Sequence, residues 1–328
     1  MLVKPEVVIK ELKSDSITFD LRNTNVGLAN ALNRIMIAEI PTMSIDSVEI
    51  EENSSNLNDE FLAHRLALIP LVSSDADTYL YSNECACNDM RCDLCSIELT
   101  LDVRCPSGMN QRNVTSNDFQ IPSKSKVKPI NYIPVDYVPT NYATSNEHNS
   151  KVNDSELSSY DSTLIDNPPI LIAKLRENQQ IKLTAIARKG IGKDHSKWSP
   201  SVGNYYKNEP VISIQHEKLD CLKEEERDAF QKQIVASCPN KILSYDKVQK
   251  IVDIEDAFLC TSCNECKNKA KQLGVSDYMS ITHKDDQFRF YVGTSGALSP
   301  VETVTKAIRI LQDKLTTIRT SVRDLDPR

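Results

Sequence analysis

Glycine is scarce, with eight residues in a chain of 328. No glycine-rich loop of the kind that cradles phosphates is present, so nucleotide chemistry of the P-loop or dinucleotide type is set aside. Basic charge is short as well. Lys and Arg number 39 against 46 Asp and Glu, a net charge of −7. That balance argues against a dedicated nucleic-acid binder, although not against one component of a larger DNA-handling machine. Apolar runs never approach the ~18 residues that a membrane helix needs. The opening MLVKPEVVIKELKSD has no apolar core before a cleavage site, so no secretory signal is expected. Tryptophan occurs once, at Trp198, and the five histidines are scattered, His64 beside Arg65 among them. His195 lies in a basic loop with no obvious nucleophile near it, no catalytic constellation is found, and no internal repeat is evident. A free-standing enzyme is disfavoured.

What the chain has instead is cysteine. Ten are present, and in a reducing compartment such clusters favour metal over disulfides. The stretch CACNDMRCDLC holds Cys85, Cys87, Cys92 and Cys95. Four thiolates on one tight loop supply the tetrahedral set that Zn²⁺ prefers, and the metal would fold a loop with little core of its own. The second set is Cys260, Cys263 and Cys266 in FLCTSCNEC, with Cys238-Pro239 upstream. C-x2-C-x2-C with a remote Cys-Pro is the ligand pattern of bacterial-type ferredoxins, so a [4Fe–4S] cluster is the preferred reading. Zinc on the same thiols is the runner-up, and an emptied cluster site is the third possibility. Ala270 stands where a local fourth cysteine would be, which limits this region to one cluster. Cys105 and Cys221 are left as free structural thiols.

Periodicity sketches the rest. Val7 and Ile9, then Ile17, Phe19 and Leu21, alternate as strands do. Leu28, Leu32, Ile35, Met36 and Ile40 recur at helical spacing until Pro41 stops the helix. Ile45, Val48 and Ile50 suggest a strand, and LNDEFLAHRLALIPL a short helix. Residues 106–168 are rich in Ser, Asn, Pro and Tyr and predict a long, partly mobile surface loop. ILIAKLRENQQIKLTAIA predicts two strands, RKGIGKDHSKW a basic loop and NEPVISIQ a short strand. Ser299-Pro300-Val301-Glu302 is a capping box with proline at the first helical position. Val304, Ile308, Leu311, Leu315, Ile318 and Val322 then step by four and three, a heptad seam narrower than an ordinary surface face. Burying six such side chains contributes on the order of 10 kcal/mol before association costs. Periodicity alone leaves two covers open: a partner chain or the helix's own domain.

ANALNRIMIAEIPTMSIDSVEI followed by NDEFLAHRLALIPL resembles the α-like subunit family of DNA-directed RNA polymerases. KGIGKDHSKWSP and GALSPVETVTKAIRIL resemble two further family segments, in the family's order. The family spans the bacterial α N-terminal domain, its archaeal counterpart and the eukaryotic third-largest polymerase II subunit, with the larger α-like subunit of polymerases I and III. A four-cysteine zinc loop at this place is typical of the polymerase II branch, and here it is one residue longer between its second and third cysteines. The ferredoxin-like insertion resembles that of the archaeal members, which carries [4Fe–4S] ligation onto Cys238, Cys260, Cys263 and Cys266. Two departures stand out: the family's paired arginines read Asn33-Arg34, and Gly293 replaces a usual acidic residue.

The resemblance implies an α+β fold: a discontinuous α-like dimerisation domain (1–42, 184–215 and 284–328), an inserted mixed α/β domain (43–183) and a small ferredoxin-like insertion (216–283). The insert would carry the zinc loop 85–95 and the loop 106–168. It implies a non-catalytic scaffold of nuclear RNA polymerase II that pairs with the smaller α-like subunit. Leu28, Leu32, Ile35 and Met36 would meet that partner together with Val304, Ile308, Leu311, Leu315, Ile318 and Val322. Small zinc-binding and adaptor subunits and the second-largest catalytic subunit would join, with DNA reached only through the holoenzyme. Arg34, Arg188, Lys189, Lys193, His195, Lys197 and Trp198 are the candidate dock for the catalytic subunit; a solvated charged loop is the alternative. An Fe–S redox protein and a stand-alone DNA-binding regulator are the rival readings, the first lacking a second cluster or flavin site and the second a basic face.

Overall fold

The computed structural model describes residues 4–87, 89, 91–122, 125–130, 168–220, 222–246 and 248–325. In chain order, β1 (Glu6–Leu12) and β2 (Ser16–Arg22) lead into α1 (Val26–Ala38). Then come β3 (Pro41–Asn53), α2 (Asp59–Ala67), β4 (Ser96–Arg104), β5 (Gln111–Thr115) and β6 (Phe119–Gln120). They are followed by β7 (Leu171–Arg176), β8 (Gln180–Ile191) and β9 (Ser201–Ile214). The last stretch holds α3 (Glu224–Ala236), β10 (Leu243–Asp246), β11 (Ile251–Ile254), α4 (Glu265–Gln272), β12 (Met279–Thr294) and α5 (Pro300–Leu325). The class is α+β, with antiparallel pairing in both units. The units are Met1–Lys13, Ile17–Asn33 with Asn204–Val292, and Ser14–Ser16, Arg34–Gly203 with Gly293–Arg328.

The first unit is built on a four-stranded sheet in the order β1-β2-β12-β9. Alternation along β2 sends Ile17, Phe19 and Leu21 to one face, where all three are buried. Phe19 stacks on Phe290 of β12 with ring centroids 5.0 Å apart. On the other face Asp20 receives Arg289 Nε at 2.6 Å and Nη2 at 3.1 Å. Burial alone would raise the Asp20 carboxyl, but Arg289 and then Lys10 hold it below its ordinary value. Between β9 and β12 the chain folds a small core of its own, with Phe230, Ile234, Ile242, Val252 and Tyr278 inside.

The second unit holds the sheet β3-β8-β4-β6 and the ribbon β5-β7. Its core includes Met43, Ile45, Leu62, Leu66, Leu99, Leu101, Leu183 and Ala185. Helix α2 starts where the Asn58 side chain accepts the Phe61 N–H at 3.0 Å, an N-cap. It buries Leu62 and Leu66 one turn apart and sends Arg65 to the carbonyls of Leu171 and Ile172.

Two expectations change here. The supposed loop 106–168 is partly sheet, because β5 and β6 occupy Gln111–Thr115 and Phe119–Gln120. Val114 and Phe119 are buried in the core, and two apolar anchors among polar neighbours are too few to show as periodicity. Residues 131–167 lie outside the described residues. The supposed basic loop is also partly strand: β8 runs through Arg188 and Lys189 to Ile191, paired to β3 and β4.

Candidate metal centres and partner face

The first cysteine set closes on itself. Cys85 and Cys92 sulfurs are 3.4 Å apart, Cys87 and Cys95 3.6 Å, and Cys92 and Cys95 3.6 Å. All four sulfurs lie within 4.8 Å of one another. Thiolates bonded at about 2.3 Å to a tetrahedral ion sit roughly 3.8 Å apart, so this set fits a single metal ion. The local chain sets the geometry. Cys85 N donates to Tyr81 O at 3.1 Å, and Cys95 N donates to Cys92 O at 3.0 Å, just before β4 begins. Arg91 ties the loop down, with bonds of 2.7 and 2.8 Å to Glu49 on β3 and a 3.4 Å ion pair to Glu98 on β4.

The thiols share protons unequally. A backbone bond at Cys87 lowers Cys85, but the Cys87 and Cys92 sulfurs outweigh it and push Cys85 up to about 12. The backbone at Leu94, then Cys85, draws Cys92 down to about 7. A metal ion held here would supply the positive charge that lets all four thiols ionise together at neutral pH.

The second set is arranged differently. Cys238, Cys260, Cys263 and Cys266 line one apolar pocket with Ile212, Ile242, Leu243, Met279 and Ile281. Among the described residues only the first set brings its ligand atoms within 4.8 Å. The second is spread around an apolar cavity instead. Its loop is wound by two left-handed residues, Ser262 at φ 53° and Asn264 at φ 63°. Ser262 N donates to Cys260 Sγ at 3.4 Å. Cys266 is buried on α4, and burial first, then Cys263, Cys238 and Cys260, pushes its thiol up. Of the remaining cysteines, Cys105 is buried and bonds Met109 O at 3.4 Å. Cys221 lies outside the described residues.

Helix α5 carries the third feature. Its capping box forms: Glu302 N donates to Ser299 Oγ at 3.2 Å, and Ser299 N donates back to the Glu302 carboxylate at 3.0 Å. The first turns are anchored, with Pro300, Thr303, Val304 and Ala307 buried. The seam then emerges. Leu311 is half-buried, Ile308 is 45% exposed, and Leu315, Ile318 and Val322 are 56%, 60% and 58% exposed. Large aliphatic side chains thus stand exposed along about two-thirds of the helix, an apolar stripe rather than scattered single residues.

Helix α1 behaves otherwise. Leu32, Ile35 and Met36 are 5%, 3% and 0% exposed, and Leu28 is half-buried. These expected partner contacts belong to the chain's own core. The apolar residues α1 leaves outside are Val26 and Ile37.

The candidate dock is likewise mostly consumed internally. Asp46 accepts Lys197 Nζ at 2.9 Å and Arg188 Nη1 at 3.1 Å. Lys189 Nζ donates to Tyr79 O at 2.9 Å and lies over the Tyr81 ring at 4.7 Å. Burial lowers the Lys189 ammonium below its ordinary value. Trp198 Nε1 donates to Arg188 O at 3.1 Å, and its ring lies so close to Gly190 that an added Cβ would meet it at 2.4 Å. Arg34, Lys193 and His195 remain exposed. The sequence offered no sign of Asp46 or Arg91, since each acts across strands far apart in the chain. Among the described residues no helix is long and apolar enough to cross a membrane.

Comparison with known proteins joins these features. The family described as RNA polymerase Rpb3/RpoA insert domain matches residues 48–214. DNA-directed RNA polymerase II subunit rpb3 of Dictyostelium discoideum is 43% identical over 318 residues, 96% of this chain and 94% of that protein. Subunit 3 of RNA polymerases II, IV and V of Arabidopsis thaliana is 39% identical, over 97% of this chain and 91% of that protein. Subunit Rpo3 of Methanosphaera stadtmanae is 29% identical, over 94% and 95%. At this identity and coverage, the chain belongs to the Rpb3/α-like subunit family of DNA-directed RNA polymerases.

Proposed function

We propose that this chain is a non-catalytic assembly subunit of RNA polymerase II in the nucleus. It pairs through α5 with the smaller α-like subunit and starts the building of the core. The observation that carries the proposal is the open seam of α5 on a chain of this family. Ile308, Leu315, Ile318 and Val322 are about half exposed, and covering what remains would return about 1 kcal/mol each. Leu311 and the anchored Val304 continue the same line. The relatives named as polymerase II subunits favour this branch over the polymerase I/III and archaeal branches. An electron carrier or a stand-alone regulator does not fit the family.

In this reading the dimerisation part is 1–42, 184–215 and 284–328, the insert is 43–183, and 216–283 is the ferredoxin-like insertion. Zn²⁺ sits on Cys85, Cys87, Cys92 and Cys95, whose close sulfurs suit one ion. A [4Fe–4S] cluster sits on Cys238, Cys260, Cys263 and Cys266, which line one pocket and are spread more widely than the single-ion set. Bound there, each metal group holds its own loop in shape. The exposed Arg34, Lys193 and His195 are what remains to meet the second-largest catalytic subunit, and small zinc-bearing and adaptor subunits complete the assembly.

Co-expression with the smaller α-like subunit tests the pairing. The wild type is expected to elute as a heterodimer, and the double variant Leu315→Glu, Ile318→Glu as a folded monomer. A wild type that stays alone, or a double variant that still pairs, would remove α5 as the partner face.

A further inference from the structure

We propose that Ser262 and His283 tether the Cys260 sulfur and govern how long the second cysteine pocket keeps its metal group. The inference rests on the metal-binding reading of Cys238, Cys260, Cys263 and Cys266.

Three observations carry it. First, Ser262 holds a left-handed backbone, φ 53°, which a residue with a side chain adopts only under local restraint. Second, that turn is what aims its N–H at Cys260 Sγ, 3.4 Å away. Third, the restraint is visible: Ser262 Oγ meets His283 Nε2 at 3.0 Å, and His283 belongs to β12, a strand inside the four-stranded sheet. The sheet therefore holds the loop, and the loop holds the sulfur. The two residues also line, with Lys207, Asn208, Thr261 and Cys260, a second pocket open to solvent. Breaking the tether loosens the ligand on the side that faces water.

Outer partners that orient a metal ligand are worth roughly 10- to 100-fold in metal retention. An N–H donor on a cluster sulfur also favours the more negative, reduced state and so raises the reduction potential. Ser262 and His283 are positioning residues in this sense; neither touches the metal group itself.

The test uses the full chain purified anaerobically with its smaller α-like partner, its iron and zinc counted before each run. Release is followed with bathophenanthroline for iron or pyridylazoresorcinol for zinc. Ser262→Ala and His283→Ala are expected to release metal roughly tenfold faster than wild type. Where the metal is iron, both should also lower the midpoint potential. Ser262→Gly separates the turn from the tether, because glycine adopts the left-handed turn without help. It should release faster than wild type, because the bond to His283 is gone, but more slowly than Ser262→Ala. Wild-type release from Ser262→Ala and His283→Ala at normal loading overturns the tether. A Ser262→Gly protein as leaky as Ser262→Ala overturns the turn-holding role. No metal on these thiols in the wild type sinks the metal reading itself, and the tether with it, a failure that the metal count reveals before any release is measured.

Discussion

Asp46 shows what a single residue decides here. The β3–β8 register slips between Ile45 and Ser47, and Asp46 is the extra residue at that bulge. The bulge turns its carboxylate onto Lys197 and Arg188, whose side chains are only 9% and 17% exposed. Burial works against the charged carboxyl, but the Lys197 hydrogen bond and charge, then Arg188, hold it below its ordinary value. Such a group stabilises the fold above the unfolded carboxyl value of about 3.9, and that contribution is lost as pH falls through the folded value. Asp46→Asn is expected to cost about 2 kcal/mol in urea unfolding at pH 7, since it removes the carboxylate charge that two largely buried cations share. The gap from wild type should start to narrow below about pH 4 and close only once pH passes below the folded value. An equal gap at both pH values would mean that packing, not charge, is what Asp46 supplies. None of this was legible beforehand. Asp46 and Arg188 stand 142 positions apart, and composition shows only a basic run that looks solvated.

At the scale of elements, α1 and α5 carry the same kind of apolar repeat and meet opposite fates. Periodicity says which side chains share a face; it does not say what covers that face. Leu32, Ile35 and Met36 are covered by the chain itself, whereas Leu315, Ile318 and Val322 are left open. The α5 start was readable in full, because a capping box is local chemistry within four residues. The strands at Gln111–Thr115 and Phe119–Gln120 were not, because their pairing depends on partners distant in sequence. Since α5 is anchored at one end only, its two ends should respond differently to substitution. Ser299→Ala removes the cap beside buried Val304 and Ala307 and is expected to cost about 1 kcal/mol of chain stability. Leu315→Glu, on the open stretch, should stay within about 0.5 kcal/mol. Chemical unfolding of the unpaired chain separates the two, and a large cost for Leu315→Glu would place that residue in a core of this chain after all.

For the whole molecule, the two cysteine sets fall in different units, Cys85–Cys95 in one and Cys238–Cys266 in the other. The first motif was legible from spacing as a group able to hold a metal, because its four thiols sit within eleven residues; the second was legible only as a pattern, since Cys238 lies far from the other three in sequence. What spacing could not supply was their difference in size: one set drawn together, the other ringed around a cavity. If, as proposed, Zn²⁺ fills the first set and a [4Fe–4S] cluster the second, and each folds its own surroundings, the two losses are independent. Cys92→Ser should remove about one zinc per chain and leave the iron in place, because it breaks only the tetrahedral set. Cys263→Ser should remove about four irons and leave the zinc. A structural ion can contribute roughly 10–16 kcal/mol of apparent binding energy, so each loss should melt its own loop. Limited proteolysis should then cut near residues 81–95 in the first variant and near 257–266 in the second. Cys263→Ser is further expected to weaken capture of the smaller α-like partner. Loss of both metals from either variant would mean that the two centres stand or fall together, and a second set loaded with zinc would make the cavity a site for one ion.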